Sequence, residues 1–418
     1  MRHFIFGCLF FFSWLFSTGM ANQENAGVVE FKARGGLPNF FCKALHGDSI
    51  RVAYLGGSIT EQEGWRVLSL EWFNQRFPKA KFTEINAAIG GTRSDFGVFR
   101  LNDHVLKFKP DLVFVEFAVN DSRTPATKII RSMEGIVRQI WQQNPLTDIC
   151  FIYTITEEDI ETERNGKLPP SVEIMETVAD KYQLPSINFG CEVVRMVNNK
   201  QLIMIAPEKE LNGVKVFSSD GIHPYSETGH IIYNSVLKRS FEKIIPVHTS
   251  GFKKHIWSKP IAKDYFAHTQ MFDFSKAKLS KNWQIIRIAD QPAFNFAGKY
   301  LQKIGKAGLT GETLCIRFKG RAIGAYDIMG PDAGKVIVEI DGMIKDTISR
   351  FDRFCTYRRM NYFLFDHLED KAHEVVFRVC SEPFDKASIL TEKMKNPEDY
   401  RENNWYVGKI LIDGKLIR

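Results

Sequence analysis

The chain has 418 residues, of which 44% are hydrophobic, 13% aromatic and 25% charged. That composition excludes a disordered protein and gives enough length for two domains. The formal charge of +7 is spread along the sequence without a block of five or more consecutive basic residues, a zinc-ligand spacing or a Lys-Ser/Thr phosphate loop, so nucleic acid is excluded as the expected partner.

The first 21 residues form a separate unit. Arg2 and His3 precede an almost continuously apolar run from Phe4 to Phe16, and Gly19-Met20-Ala21 places small residues at the −3 and −1 positions of a cleavage site. The run is too short for a comfortable membrane span and reads as a secretory signal peptide, the alternative being an uncleaved anchor. Cys8 lies too early in it to be a lipoprotein acceptor. Its removal takes one Arg and no acid off the formal +7, leaving +6. No later stretch is apolar enough to span a bilayer, so the expected product is exported, periplasmic or extracellular. The six remaining cysteines permit disulfides in such a compartment. Cys150 and Cys315, however, sit inside apolar strand-like runs where a free thiol behaves as a small hydrophobe, and no pairing is assigned.

Residues 22–49 read as an N-terminal extension. From Ile50 to about residue 243, short apolar runs alternate with amphipathic ones. RVAYLGG is strand-like and ends in glycines, a helix is expected over 64–77, KFTEINA is strand-like and SDFGVFRLNDHVLKF helical. DLVFVEFA is a dense apolar strand of the kind buried on both faces. A helix around 128–143, the strand DICFIYTI, a helix near 171–182, the short strand LPSINF and a last helix over 226–243 follow. This alternation predicts a doubly wound, flavodoxin-like parallel sheet flanked by helices, spanning 50–246, with ligands at the carboxyl ends of the strands. After Pro246 helical periodicity disappears. WQIIRIA, TLCIRFKG, AIGAYDIM, KVIVEIDG, EVVFRVC and WYVGKILIDG are short β-prone runs separated by turn residues, which predicts a smaller, jelly-roll-like β-sandwich over 247–418.

Four loops carry residues suited to chemistry. Gly56-Gly57-Ser58 follows the first strand, where a serine can expose its hydroxyl and its backbone N–H or simply cap a helix. Gly90-Gly91 follows the second strand, where paired glycines permit close backbone approach to a ligand or an ordinary turn. Asn120-Asp121 ends the dense apolar strand, and an asparagine there forms a turn or aims its amide at an oxyanion. Asp220-Gly221-Ile222-His223 closes the α/β unit, and a carboxylate three residues before a histidine can reach its Nδ1 and fix the tautomer. Asp370 and His373 repeat that spacing without the accompanying loops and are read as surface residues of a turn.

Each motif alone is common, but the ordered combination resembles the blocks of the SGNH (GDSL-like) hydrolase superfamily over residues 50–243. The resemblance implies Ser58 as nucleophile, Asp220 and His223 as its triad partners, and an oxyanion hole made by the N–H of Ser58, the N–H of Gly91 (Gly90 if shifted by one residue) and the side-chain amide of Asn120. Many relatives have Asp immediately before the nucleophile, where this chain has Gly57. GGSITEQEGWR, INAAIGGTRSDFGVFRL and KPDLVFVEFAVND resemble bacterial secreted SGNH enzymes grouped with carbohydrate esterases, in which a β-sandwich follows the catalytic domain. The implied activity is removal of acetyl groups from O-acetylated glycans of plant cell-wall type, such as xylan or xyloglucan, with no metal or organic cofactor. A lipid or thioester acylhydrolase and a non-catalytic glycan-binding protein are the alternatives. Arg93 is a candidate substrate contact; Glu61, Trp65 and Arg123 lie near the loops without an assigned role.

Overall fold

The computed structural model describes residues 28–245, 251–308, 311–380, 382–394 and 396–417. The expected signal segment, Cys8 included, lies outside the described residues.

In the first half, the chain runs β1 (Phe31–Lys32), α1 (Pro38–His46), β2 (Ser49–Gly56), α2 (Ser58–Glu61), α3 (Trp65–Arg76), β3 (Lys81–Asn86), α4 (Ser94–Phe99), α5 (Leu101–His104), β4 (Leu112–Glu116), α6 (Ala126–Gln143), β5 (Asp148–Tyr153), α7 (Ile160–Arg164), α8 (Pro170–Tyr182), β6 (Ser186–Asn188) and α9 (Gly190–Asn198). Three short strands, β7 (Leu202–Ile205), β8 (Glu210–Leu211) and β9 (Val214–Ser218), then precede α10 (Gly229–Ile244). The main sheet has the order β1-β6-β5-β4-β2-β3, parallel except for the antiparallel edge strand β1. Its five parallel strands therefore follow the flavodoxin-like order, with the switch in winding direction between β2 and β4.

Alternation along the strands separates two apolar layers. Val52 and Tyr54 of β2 and Leu112 and Phe114 of β4 join the core beneath α1, α3 and α10. Ala53, Leu55, Val113 and Val115 point to the opposite face, towards α4, α6 and α8. Covering both faces explains why β4 is apolar without interruption until Glu116. Within the segment read as an extension, β1 pairs with β6, and Phe40 and Phe41 of α1 are buried in the first layer.

The second half is an antiparallel all-β domain. Its strands are β10 (Thr269–Asp273), β11 (Lys278–Leu279), β12 (Gln284–Arg287), β13 (Lys303–Ala307), β14 (Thr313–Met329), β15 (Lys335–Ile340), β16 (Met343–Ser349), β17 (Arg359–Phe365), β18 (Lys371–Cys380) and β19 (Trp405–Leu416). TLCIRFKG and AIGAYDIM, two runs in the sequence, form the single strand β14. A register shift between Gly320 and Ala322 bends it. Before the shift Leu314, Ile316 and Phe318 face the domain's own core; after it Ile323 and Ala325 do. β19 makes the matching change around Gly408, with Trp405 and Val407 inward before it and Ile410 and Ile412 after it.

These shifts turn Ala322, Tyr326, Ile328, Tyr406 and Leu411 towards the α/β domain, where they join Phe96, Phe99 and Phe117 in one apolar cluster. Lys128 bridges Asp95 (3.0 Å) and Asp366 (3.3 Å) across the boundary, and Arg131 donates to the Asp366 carbonyl at 2.9 Å. The six cysteines from Cys42 to Cys380 are free, with Cys150 fully buried and Cys315 only part-buried. No helix among the described residues is long and apolar enough to cross a membrane.

Candidate active site

β2 and β4 end beside each other at the topological switch point, so the loops they feed meet above the sheet. Gly57 follows β2 with φ −93° and ψ −156°, and Ser58 opens the short helix α2. As the first residue of a helix, Ser58 has a backbone N–H without an intrahelical partner. Its Oγ lies 2.7 Å from His223 Nε2, and His223 Nδ1 lies 2.7 Å from Asp220 Oδ2. Residues from two loops far apart in the sequence thus form one hydrogen-bonded chain.

The turn carrying Asp220 and His223 is fixed locally. Ser218, at the end of β9, accepts the N–H groups of Asp220 (3.0 Å) and Gly221 (2.8 Å) and donates to Asp220 Oδ1 at 2.9 Å. Asp220 Oδ1 also accepts the amides of Ile222 (2.9 Å) and His223 (2.8 Å). Gly221 has φ +77°, a conformation that favours glycine. Partial burial alone raises the Asp220 pKa, but the hydrogen bonds from the His223 ring, the two amides and Ser218 outweigh it and hold the carboxyl below its usual range. Asp220 is therefore the anion that orients His223.

Gly91 lies in the turn after β3 with φ +69°, and its N–H donates to no protein atom among the described residues. The neighbouring Gly90 N–H donates instead to Glu61 Oε2 at 2.9 Å. Of the two glycines, Gly91 is the one left with a free donor. Asn120 stands beside Gly57: a Cβ at Gly57 would lie 2.1 Å from Asn120 Oδ1. The glycine before Ser58 thus leaves room for the asparagine amide, which makes no hydrogen bond of its own among the described residues. Three N–H donors on the loops beside Ser58, its own included, thus have no partner among the described residues.

Several contributors were not legible in the sequence. Glu116 ends β4 under the Ser58 turn, fully buried, and accepts the hydroxyls of Thr60 (2.8 Å) and Thr154 (2.9 Å) and the Gly57 N–H; burial pushes its pKa up against those bonds. Asp121 is buried and accepts the Ser94 N–H at 3.3 Å. Desolvation, with some help from nearby Asp95, raises it to about 7. His230 of α10 is buried, accepts the Trp65 N–H at 3.2 Å and pairs with Gln62 Oε1 at 3.2 Å. Burial, then repulsion from His223 and Arg66, lowers its pKa to about 4. Only packing against its neighbours distinguishes these groups from ordinary polar residues.

Of the residues without an assigned role, Trp65 is a core residue packed on Tyr54, Phe114 and Phe189, and Glu61 holds the Gly90 turn. Arg93 is exposed, immediately before α4, and its side chain makes no hydrogen bond or ion pair among the described residues. The surface reading holds for Asp370 and needs correction for His373. His373 is buried in β18, with Nδ1 2.8 Å from Asp341 Oδ2, while Asp370 lies 3.9 Å from Arg321. Strand alternation turns this histidine inward and separates it from the aspartate three positions earlier. Among the described residues no group of three or more His, Cys, Asp or Glu is placed to hold a metal ion.

Residues 47–230 match the model of the GDSL-like Lipase/Acylhydrolase family. This part of the chain is similar to GDSL-like lipase/acylhydrolase domains. The match supports a carboxylic ester hydrolase. The two-domain arrangement is similar to that of a two-domain esterase (CEX) active on acetylated mannans: 19% identity, TM-score 0.71, with 94% of this chain and 98% of that one covered. A second structure of that esterase, co-crystallized with mannopentaose, aligns at 20% identity and TM-score 0.70 over the same shares. No curated protein matches the sequence. The shared fold spans both domains, so the GDSL-like unit and the β domain recur together.

Proposed function

We propose that the protein is a serine esterase that removes acetyl groups from O-acetylated polysaccharides through an acyl-enzyme. The observation that carries this reading is the chain Ser58–His223–Asp220, with hydrogen bonds of 2.7 Å at both links, flanked by the three free N–H donors. His223 takes the Ser58 proton as Oγ attacks the ester carbonyl. The Ser58 and Gly91 amides and the Asn120 side chain hold the tetrahedral oxyanion. The imidazolium, stabilised by Asp220, protonates the departing sugar oxygen, which leaves as a hydroxyl. Water activated by His223 then releases acetate and frees Ser58.

An acetylated polymer fits the site better than a long acyl chain. The side chains of His223 and Asp220 remain 37% and 47% exposed, so the reacting atoms face an open surface along which a glycan can lie. Exposed Arg93, whose side chain makes no hydrogen bond or ion pair among the described residues, is the proposed contact to sugar hydroxyls. The mannan activity of the fold relative adds acetylated mannan to xylan and xyloglucan as candidate substrates. A signal peptide at residues 1–21 would deliver the enzyme to the periplasm or the exterior, where such polymers are met.

The test is acetate release from acetylated mannan, xylan, xyloglucan and a small aryl acetate, by wild type and Ser58→Ala. Ser58-dependent release from a polymer supports the reading in full. Release from the aryl acetate alone leaves the esterase chemistry and refutes the glycan assignment. Release that persists in Ser58→Ala refutes the mechanism.

A further inference from the structure

We infer that Tyr300 and Tyr362 of the β domain are positioning residues for the oxyanion loops, which makes the second domain a working part of the catalytic apparatus. The inference rests on the esterase reading above.

The loop from Ala87 to Arg93 must present the Gly91 N–H towards Ser58, and most of its tethers come from the α/β domain itself. Ala87 N–H bonds Tyr54 O (3.0 Å), Ile89 N–H bonds Gly56 O (3.0 Å), and Ala88 N–H bonds Asn86 Oδ1 (3.1 Å). Arg100 holds the Ala87 carbonyl, and Thr92 Oγ1 holds that of Ile89 at 2.7 Å. The Ala88 carbonyl, three residues before Gly91, has a different partner. It accepts the hydroxyl of Tyr300 at 2.8 Å, across the domain boundary. Ala88 is fully buried, so without that hydroxyl its carbonyl would be left unpaired away from water. A peptide plane in that position turns or admits solvent to recover a partner.

The other end of the loop is held in the same way. Tyr362 Oη donates to Asp95 Oδ1 at 2.5 Å, at the start of α4. Next to Asp95, the Ser94 N–H bonds Asp121 Oδ1 at 3.3 Å, and Asp121 adjoins Asn120. Tyr362 therefore braces two donor-bearing loops at once. Both rings are seated independently of their hydroxyls: Tyr362 stacks on Phe96 (4.6 Å, 14°) and Tyr300 packs on His104 (4.5 Å). Removing the hydroxyl alone thus tests the bond with the packing kept.

The experiment compares Tyr300→Phe, Tyr362→Phe and the double variant with wild type on a small aryl acetate, which is too short to touch a remote glycan subsite. Each single change is expected to lower Ser58-dependent kcat on the order of 10-fold, and the pair up to about 100-fold, with KM within about twofold. Amide hydrogen exchange over residues 89–93 should quicken in the same variants while that of β4 stays slow. Asp341→Asn, which loses a carboxylate paired with His373 at 2.8 Å elsewhere in the β domain, serves as the control for stability loss alone and should leave kcat unchanged. Unchanged kcat and exchange in the tyrosine variants, or an equal loss of kcat in Asp341→Asn, overturns the inference. If wild type shows no Ser58-dependent hydrolysis, the esterase reading falls on that result, and the exchange comparison alone decides whether the tyrosines order the loop.

Discussion

Replacing Gly57 with alanine tests the proposed oxyanion hole without deleting any of its donors. Gly57 has φ −93°, a negative value that alanine adopts without strain, so the effect must come from the added methyl group. That carbon would stand 2.1 Å from Asn120 Oδ1 and 2.8 Å from its Cγ. Ordinary van der Waals contact begins near 3.4 Å, so the amide must retreat by about 1.3 Å. A donor moved that far from a 2.9 Å hydrogen bond lies beyond bonding distance. Loss of one oxyanion donor costs roughly 100- to 1000-fold in turnover, or about 2.7–4 kcal/mol in the barrier. Gly57→Ala is therefore expected to lower kcat on an aryl acetate by that factor, with a nearly unchanged KM. Asn120→Ala should lose as much. In a double-mutant cycle the two losses must not multiply, because both remove the same donor. Activity of Gly57→Ala within about threefold of wild type, or fully multiplicative losses, would refute the placement of Asn120.

Other expectations follow from buried charges. His230 has a folded pKa of about 4, below its ordinary 6.5, so the unfolded state binds more protons between those values and stability falls as pH drops from 6.5 towards 4. Urea unfolding at pH 7 and pH 4.5 should show a smaller pH effect in His230→Gln. Asp121 shifts the other way, to about 7 from 3.8; the folded state binds the extra proton, and stability falls as pH rises through that interval. Asp121→Asn should remove this decline, which the same unfolding series at pH 5 and pH 8 would reveal. In the β domain, buried Asp327 pairs with Arg350 through bonds of 2.7 and 2.6 Å and accepts Trp405 Nε1 at 3.0 Å. Asp327→Ala leaves the guanidinium buried and unpaired and should cost about 3–5 kcal/mol by chemical denaturation.

Much of the α/β half is readable from periodicity because its strands and helices satisfy local and tertiary demands together. DLVFVEFA announces a strand buried on both faces, and the helix expected over 128–143 is observed as Ala126–Gln143. The sheet of β7, β8 and β9 was missed, although Asn212-Gly213, with φ +52° and +76°, is the hairpin signal between β8 and β9. α1 and α9, each only nine residues long, were missed, α1 because it lies inside the segment read as an extension. The division of β14 into two runs reflects Gly320 and its bulge: the change of inward parity looks like a turn when only the sequence is seen.

At the site, Ser58, His223, Asp220, Gly91 and Asn120 were visible as loop motifs in a characteristic order. Glu116, His230, Tyr300 and Tyr362 were not, and Asp121 was seen only as the neighbour of Asn120. Each acts through a contact between segments distant in sequence, such as the bond from Tyr300 to Ala88 over 212 residues. Nothing in the immediate neighbours of His230, Tyr300 and Tyr362 marks them.

The account turns on an acetyl group carried by Ser58. Rapid acid quench of the enzyme during turnover of an acetylated substrate, followed by peptide mass mapping, reads this directly. One acetyl group on Ser58, absent from His223→Ala and from substrate-free enzyme, is the predicted result. Acetate release without any acetylation of Ser58, or acetylation of a different residue that turns over at the same rate, would contradict it.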